Sequence, residues 1–106
     1  MSAVFAYVTA GSPEEADRLA RTIVAERLAA CANVIPGMRS VYWWQGALSE
    51  ATETVVVFKT RSDRFEALAE RVKALHSYEC PCVVALPVTA GLAPYLEWIE
   101  SESTPR

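Results

Sequence analysis

The chain has one histidine, two lysines, three cysteines and four glycines in 106 residues, and each scarcity excludes something. With four glycines and neither GxxxxGK[ST] nor GxGxxG, neither Gly11 nor Gly37 belongs to a phosphate-cradling loop. The lone histidine, His76, has no nucleophile elbow and no Asp–His spacing with which to build a hydrolytic triad. Cys31, Cys80 and Cys82 form an odd count, which argues against a disulfide framework in a domain long enough to fold without one. Basic residues are sparse and scattered: Lys and Arg number 10 against 13 Asp and Glu, for a net charge of −3. A nucleic-acid partner is not expected, because its backbone needs a clustered basic face. No stretch reaches the ~18–20 apolar residues of a membrane span. Residues 1–8 carry neither a basic run nor a small-residue cleavage pattern, so the expected setting is cytoplasmic.

What is present is greasy. Hydrophobic residues make up 52% of the chain and charged residues 22%. The mean hydropathy of +0.14 is high for so short a chain. One domain spanning residues 1–106 buries a limited core, and association is the physical outlet for the apolar excess.

The pattern predicts strand, helix, strand, strand, helix, strand and a short terminal helix. Val4–Thr9 is rich in β-branched and aromatic residues. Ser12-Pro13-Glu14-Glu15 starts a helix, with Ser12 as cap and Glu15 completing the capping box. The apolar stripe Ala16, Leu19, Ala20, Ile23, Val24, Leu28 and Cys31 carries it from 13 to about 30. Arg18, Arg21 and Arg27, interleaved with Glu14, Asp17 and Glu26, form its solvated face.

Asn33 to Trp44 reads as an extended segment broken by Pro36-Gly37, which implies an edge, bulge or bend. Gln45-Gly46 is a hairpin turn, with the return strand starting near Leu48 and running through Thr54–Thr60. Thr60 or Ser62 caps a second helix whose stripe is Phe65, Leu68, Ala69, Val72 and Leu75, ending near His76. Cys82–Leu86 is the last strand, Ala93–Ile99 a short helix, and residues 101–106 are expected to fray. This order gives an α+β, ferredoxin-like βαββαβ fold: an antiparallel sheet with both long helices on one face. Val41-Tyr42-Trp43-Trp44 then puts large side chains on a face that the chain's own helices do not cover, so a partner subunit is the expected cover.

Several segments together resemble one family: Arg27–Asn33, Ser40-Val41-Tyr42-Trp43-Trp44-Gln45-Gly46, Lys59-Thr60, His76-Ser77-Tyr78-Glu79-Cys80-Pro81 and Tyr95-Leu96-Glu97-Trp98-Ile99. Their order and spacing over about ninety residues resemble the divalent-cation-tolerance protein family, CutA. The resemblance implies a ferredoxin-like homotrimer without enzymatic activity, linked to tolerance of copper and other divalent metals. It requires no cofactor and is similar in shape to PII signalling proteins. The alternative it implies is a PII-like signalling or scaffold protein. Such a protein binds a small anionic metabolite or a protein partner in clefts between subunits, where Lys59 would matter more than the thiols. Cys31, His76, Tyr78, Glu53 and Pro81 fall on family positions. Ser77 replaces a family proline, and Gln45 and Cys82 stand where glutamate is common.

The metal-ligand candidates are His76, Cys80 and Cys82, with Cys31 a distant fourth. Cys80-Pro81-Cys82 lacks the spacing of redox or zinc Cys-x-x-Cys motifs. In an extended strand, however, residues two apart share a face, so both thiols and His76 could meet one soft ion such as Cu(I). The competing readings are structural: the thiols as small apolar residues at a subunit contact, Cys31 as part of the helix stripe, His76 as a helix-end residue.

Overall fold

The computed structural model describes residues 2–106. β1 (Ala3–Ala10) leads into α1 (Pro13–Ala25), then β2 (Cys31–Trp44) and β3 (Ala47–Arg61) form a long hairpin. A 3-10 turn (Ser62–Arg64) precedes α2 (Phe65–Leu75), followed by β4 (Val83–Pro87) and α3 (Ala93–Glu102). The strands make one antiparallel sheet in the order β2-β3-β1-β4, which is the ferredoxin-like arrangement.

Alternation along the strands decides the layering. Ala6, Val8 and Ala10 of β1 and Val56 and Phe58 of β3 point to one side. There they pack with Ala16, Leu19, Ala20 and Ile23 of α1 and Leu68 and Val72 of α2. The other side has no helix of this layer. Strand register assembles it in rows: Cys31, Lys59, Phe5 and Leu86 across one line, then Asn33, Val57, Tyr7 and Val84. Ile35, Val84 and Leu86 are exposed there.

β1 pairs with β3 only as far as Ala10 opposite Thr54, whereas β2 continues pairing to Trp44 opposite Ala47. The outer half of the hairpin therefore projects beyond the sheet, and the molecule measures 44 × 26 × 21 Å. Trp43 and Trp44, near the tip, are 75% and 62% exposed. Pro36 and Gly37 produce the expected irregularity as a register shift between Ile35 and Met38, with Gly37 at φ +78°. The turn holds both Gln45 (φ 49°) and Gly46 (φ 79°) in the left-handed region, as a two-residue hairpin with right-handed twist requires.

Several boundaries differ from the sequence expectation. α1 stops at Ala25 rather than near 30, because Arg27 adopts φ 62° and turns the chain toward β2. Cys31 consequently begins a strand and lies on the open face opposite Lys59, half-buried, instead of ending the helix stripe. Thr60 stays in β3, and its hydroxyl donates to the Leu28 carbonyl oxygen at 2.7 Å; no side chain caps α2. The fourth strand starts at Val83, so Cys80, Pro81 and Cys82 lie in the bend and coil before it. Residues 101 and 102 continue α3, and Ser103 is fully buried rather than frayed: its Oγ accepts from Arg61 N at 3.3 Å and donates to Ile99 O at 2.6 Å. Arg64 fixes the same end, donating to Ser103 O and Arg27 O at 3.2 Å each. α3 thereby caps the end of the sheet where β1 begins and β3 finishes.

Candidate functional site

The opposite end of the sheet, at the root of the projecting hairpin, gathers most of the residues singled out by sequence. Ser12 caps α1 as expected, its Oγ accepting from Glu15 N at 3.2 Å. The Glu15 carboxylate goes elsewhere than a capping box would send it. It accepts from Ser77 N at 2.7 Å and Ser77 Oγ at 2.9 Å, with a longer 3.4 Å contact from Gly11 N. A helix-start residue thus ties down the segment after α2. Burial pushes this carboxyl up, but the Ser77 hydrogen bonds and the Gly11 N–H together hold it below its ordinary value.

His76 follows directly on α2, and its side chain is fully buried. Its Nε2 lies 2.7 Å from Thr9 O, and Tyr78 N lies 3.0 Å from Nδ1. A carbonyl can only accept and a backbone N–H can only donate, so Nε2 carries the proton and Nδ1 holds the lone pair. Both ring nitrogens are engaged within the chain. Glu15 Oε2 stands 3.6 Å from Nδ1, beyond a direct hydrogen bond to the neutral ring.

Tyr78 turns back over Gly11 and donates to Glu53 Oε2 at 3.1 Å. A Cβ on Gly11 would come within 3.1 Å of the Tyr78 hydroxyl, so the small residue there makes room for the ring. Burial and the Glu53 hydrogen bond raise the Tyr78 phenol above its ordinary value. Cys80 and Cys82 are exposed free thiols on the same segment. Although Cys82 is open as a residue, partial burial of its sulfur pushes its thiol up, and the Glu53 carboxylate adds to that. Among the described residues, no group of three or more His, Cys, Asp and Glu side chains is placed to hold a metal ion. The structure thus brings His76, Cys80 and Cys82 onto one short segment without converging them. It sets Cys31 apart, beside the Lys59 ammonium at the far end of the sheet.

Sequence reading missed the contributions of Thr9, Glu15 and Ser77. The Ser12-x-x-Glu15 spacing marked Glu15 only as a local cap, because a contact 62 residues away leaves no periodic trace. No helix is long and apolar enough to cross a membrane among the described residues.

An antiparallel ferredoxin-like sheet with one bare apolar face, a projecting aromatic hairpin and a C-terminal helix over one end defines a class of small α+β proteins. Comparison with known proteins narrows it. Residues 4–102 match the family described as CutA1 divalent ion tolerance protein, and the chain belongs to that family. It is 45% identical over 96 residues to the divalent-cation tolerance protein CutA of Archaeoglobus fulgidus, covering 91% of this chain and 93% of that one. It is 44% identical over 100 residues to the chloroplastic protein CutA 1 of Oryza sativa, covering 94% of this chain but only 56% of that longer protein. The crystal structure of CutA1 from Oryza sativa superposes with a TM-score of 0.93 at 43% identity, over 96% of this chain and 94% of that one. The periplasmic divalent cation tolerance protein CutA of Archaeoglobus fulgidus also gives a TM-score of 0.93, at 42% identity over 96% of this chain and 99% of that one.

Proposed function

We propose that this protein serves divalent-cation tolerance as a non-enzymatic homotrimer that captures metal ions weakly, in the cytoplasm. The observation that carries the metal reading is the pair of exposed thiols with one residue between them, Cys80 and Cys82, in a CutA1-family chain. They lie outside regular structure, where backbone adjustment to a ligand costs least. Two thiolates favour a soft ion such as Cu(I) over Mg²⁺ or Ca²⁺. Two donors also make an incomplete shell, so binding is weak unless solvent or a neighbouring copy supplies more.

His76 can join only by giving up the Tyr78 N–H, because its other nitrogen carries the proton donated to Thr9. Cys31 is the poorest candidate, since the Lys59 ammonium across the strand pair repels a cation. The trimer reading rests on the bare sheet face and the exposed Trp43 and Trp44, which need cover.

The test is an anaerobic Cu(I) titration of the wild type, Cys80→Ser and Cys82→Ser. Each substitution is expected to weaken binding by about tenfold or more, as loss of one of two thiolates implies. Equal stoichiometry and affinity in all three proteins would remove the site.

A further inference from the structure

Lys59 stands at the end of the sheet away from the thiols, in the open-face row between Cys31 and Phe5. Its Nζ donates to the Tyr95 hydroxyl at 3.0 Å. The rings of Phe5 and Tyr95 each have their centroids 5.4 Å from the same nitrogen, and Trp98 stacks on Tyr95 at 5.6 Å with 28° between the planes. β1 and α3 therefore supply aromatic rings around an ammonium carried by β3. The Tyr95 hydrogen bond holds the proton on Lys59 above the ordinary range, against the opposing effect of burial, with smaller help from the nearby Cys31 and Tyr95 groups.

The hydrogen-bond inventory at this spot is one-sided. An ammonium has three donors, and Tyr95 takes one. The phenol uses its oxygen as the acceptor, so its own proton points elsewhere. Among the described residues, no ion pair involves Lys59, and no acceptor for the Tyr95 proton is present. Aromatic faces attract the charge without accepting these N–H groups in hydrogen-bond geometry. Two ammonium donors and the phenol proton are thus left without a protein acceptor among the described residues. Anything that covers this face strips water from the ammonium, and a buried charge without a counter-charge is costly.

We propose that Lys59 and Tyr95 form a receptor for an organic carboxylate. Its head is held by the ammonium and the phenol, and its apolar body lies against Phe5 and Trp98. The carboxylate is either a free small molecule or a side chain of a second copy, and only the latter source rests on the self-association proposed above.

The test uses benzoate and acetate, with the Trp98 indole N–H resonance as reporter, assigned by its loss in Trp98→Phe. Wild type, Lys59→Met and Tyr95→Phe are titrated, and the mass of each is followed by light scattering. For a free ligand, wild type shows a saturable shift, tighter for benzoate than for acetate. Binding weakens about tenfold or more in Lys59→Met, as loss of a charge-assisted contact implies, and less in Tyr95→Phe. For a carboxylate of a second copy, neither anion binds, but Lys59→Met weakens subunit association about tenfold while its fold, by circular dichroism, is unchanged. Both results support the receptor. If Lys59→Met folds, binds both anions as wild type does or shows no binding like wild type, and associates with unchanged affinity, the proposal is overturned.

Discussion

The proton on His76 Nε2 points at the Thr9 carbonyl oxygen 2.7 Å away, so the end of α2 is pinned to the end of β1 through a ring with no exposed surface. Tyr78 N–H completes the arrangement from the other side. Removing the ring leaves a carbonyl and an N–H without partners and a cavity beside them. His76→Ala is expected to destabilise the fold by about 2–4 kcal/mol, measured by urea unfolding. His76→Gln, whose amide can still donate to Thr9, should recover part of that. Cu(I) affinity is expected to survive in His76→Gln, because the thiols are untouched. A loss of affinity as large as that of Cys80→Ser would place the imidazole in the metal shell.

The Glu15 carboxylate links pH to stability. Its folded value lies below the ordinary 4.5, so its ionised form favours the folded state. That contribution is fully present above the unfolded value and is lost as pH falls through the folded one. The gap in unfolding free energy between wild type and Glu15→Gln should be widest near neutral pH and should shrink below about pH 4. A gap that is constant from pH 7 to pH 3 would show that the charge on Glu15 does not matter.

Cys82 should be slow to react. Burial and the Glu53 carboxylate raise its thiol, so its alkylation by iodoacetamide should accelerate at a higher pH than that of a free cysteine. Glu53→Gln should move that profile down. It should also leave the Tyr78 hydroxyl, now 3.1 Å from a carboxylate oxygen, with a neutral amide oxygen as its acceptor. Mass spectrometry of the peptide carrying Cys82, in a Cys80→Ser background, reads the rate directly.

The hairpin turn carries local strain that can be relieved. Gln45 sits at φ 49°, a conformation that asparagine or glycine adopts more cheaply. Gln45→Asn or Gln45→Gly is expected to raise stability by about 0.5 kcal/mol, provided no neighbouring copy uses the glutamine side chain. A thermal midpoint lower than wild type would point to such a use.

The fold was legible because its signals are short-range. Ser12-Pro13 marks a helix start, the three-and-four spacing from Ala16 to Ile23 marks the buried face, and Gln45-Gly46 marks the hairpin. Boundaries were less legible where one residue's backbone decides. Arg27 in the left-handed region ends α1 early and moves Cys31 from the helix to the sheet, which no apolar pattern announces. Thr60 looked like a cap but serves β3, because its hydroxyl meets Leu28 O across 32 residues. At the candidate site, sequence spacing found the segment His76–Cys82 but not its partners. The contacts to Thr9, Glu15 and Glu53 are all tertiary. Tyr95 likewise was visible as part of the terminal helix, while its hydroxyl on Lys59 follows only from where α3 docks.

The hairpin aromatics give a second handle on association. Trp43 and Trp44 are mostly exposed in the single chain, so burial at a contact would make each a dominant side chain there. Trp43→Asp or Trp44→Asp is expected to weaken association by ~2 kcal/mol or more if that ring fills the contact. Unchanged mass in both variants would leave the aromatic tip free for another role.

The mass of the protein in dilute solution is the most direct measurement, because the trimer reading depends on the sheet face that the chain's own helices leave bare. Light scattering with acrylamide quenching on the same sample should give three times the 11.6 kDa chain mass, with indole fluorescence partly shielded. A monodisperse particle of one chain mass, with Trp43 and Trp44 fully accessible to quencher, would contradict it.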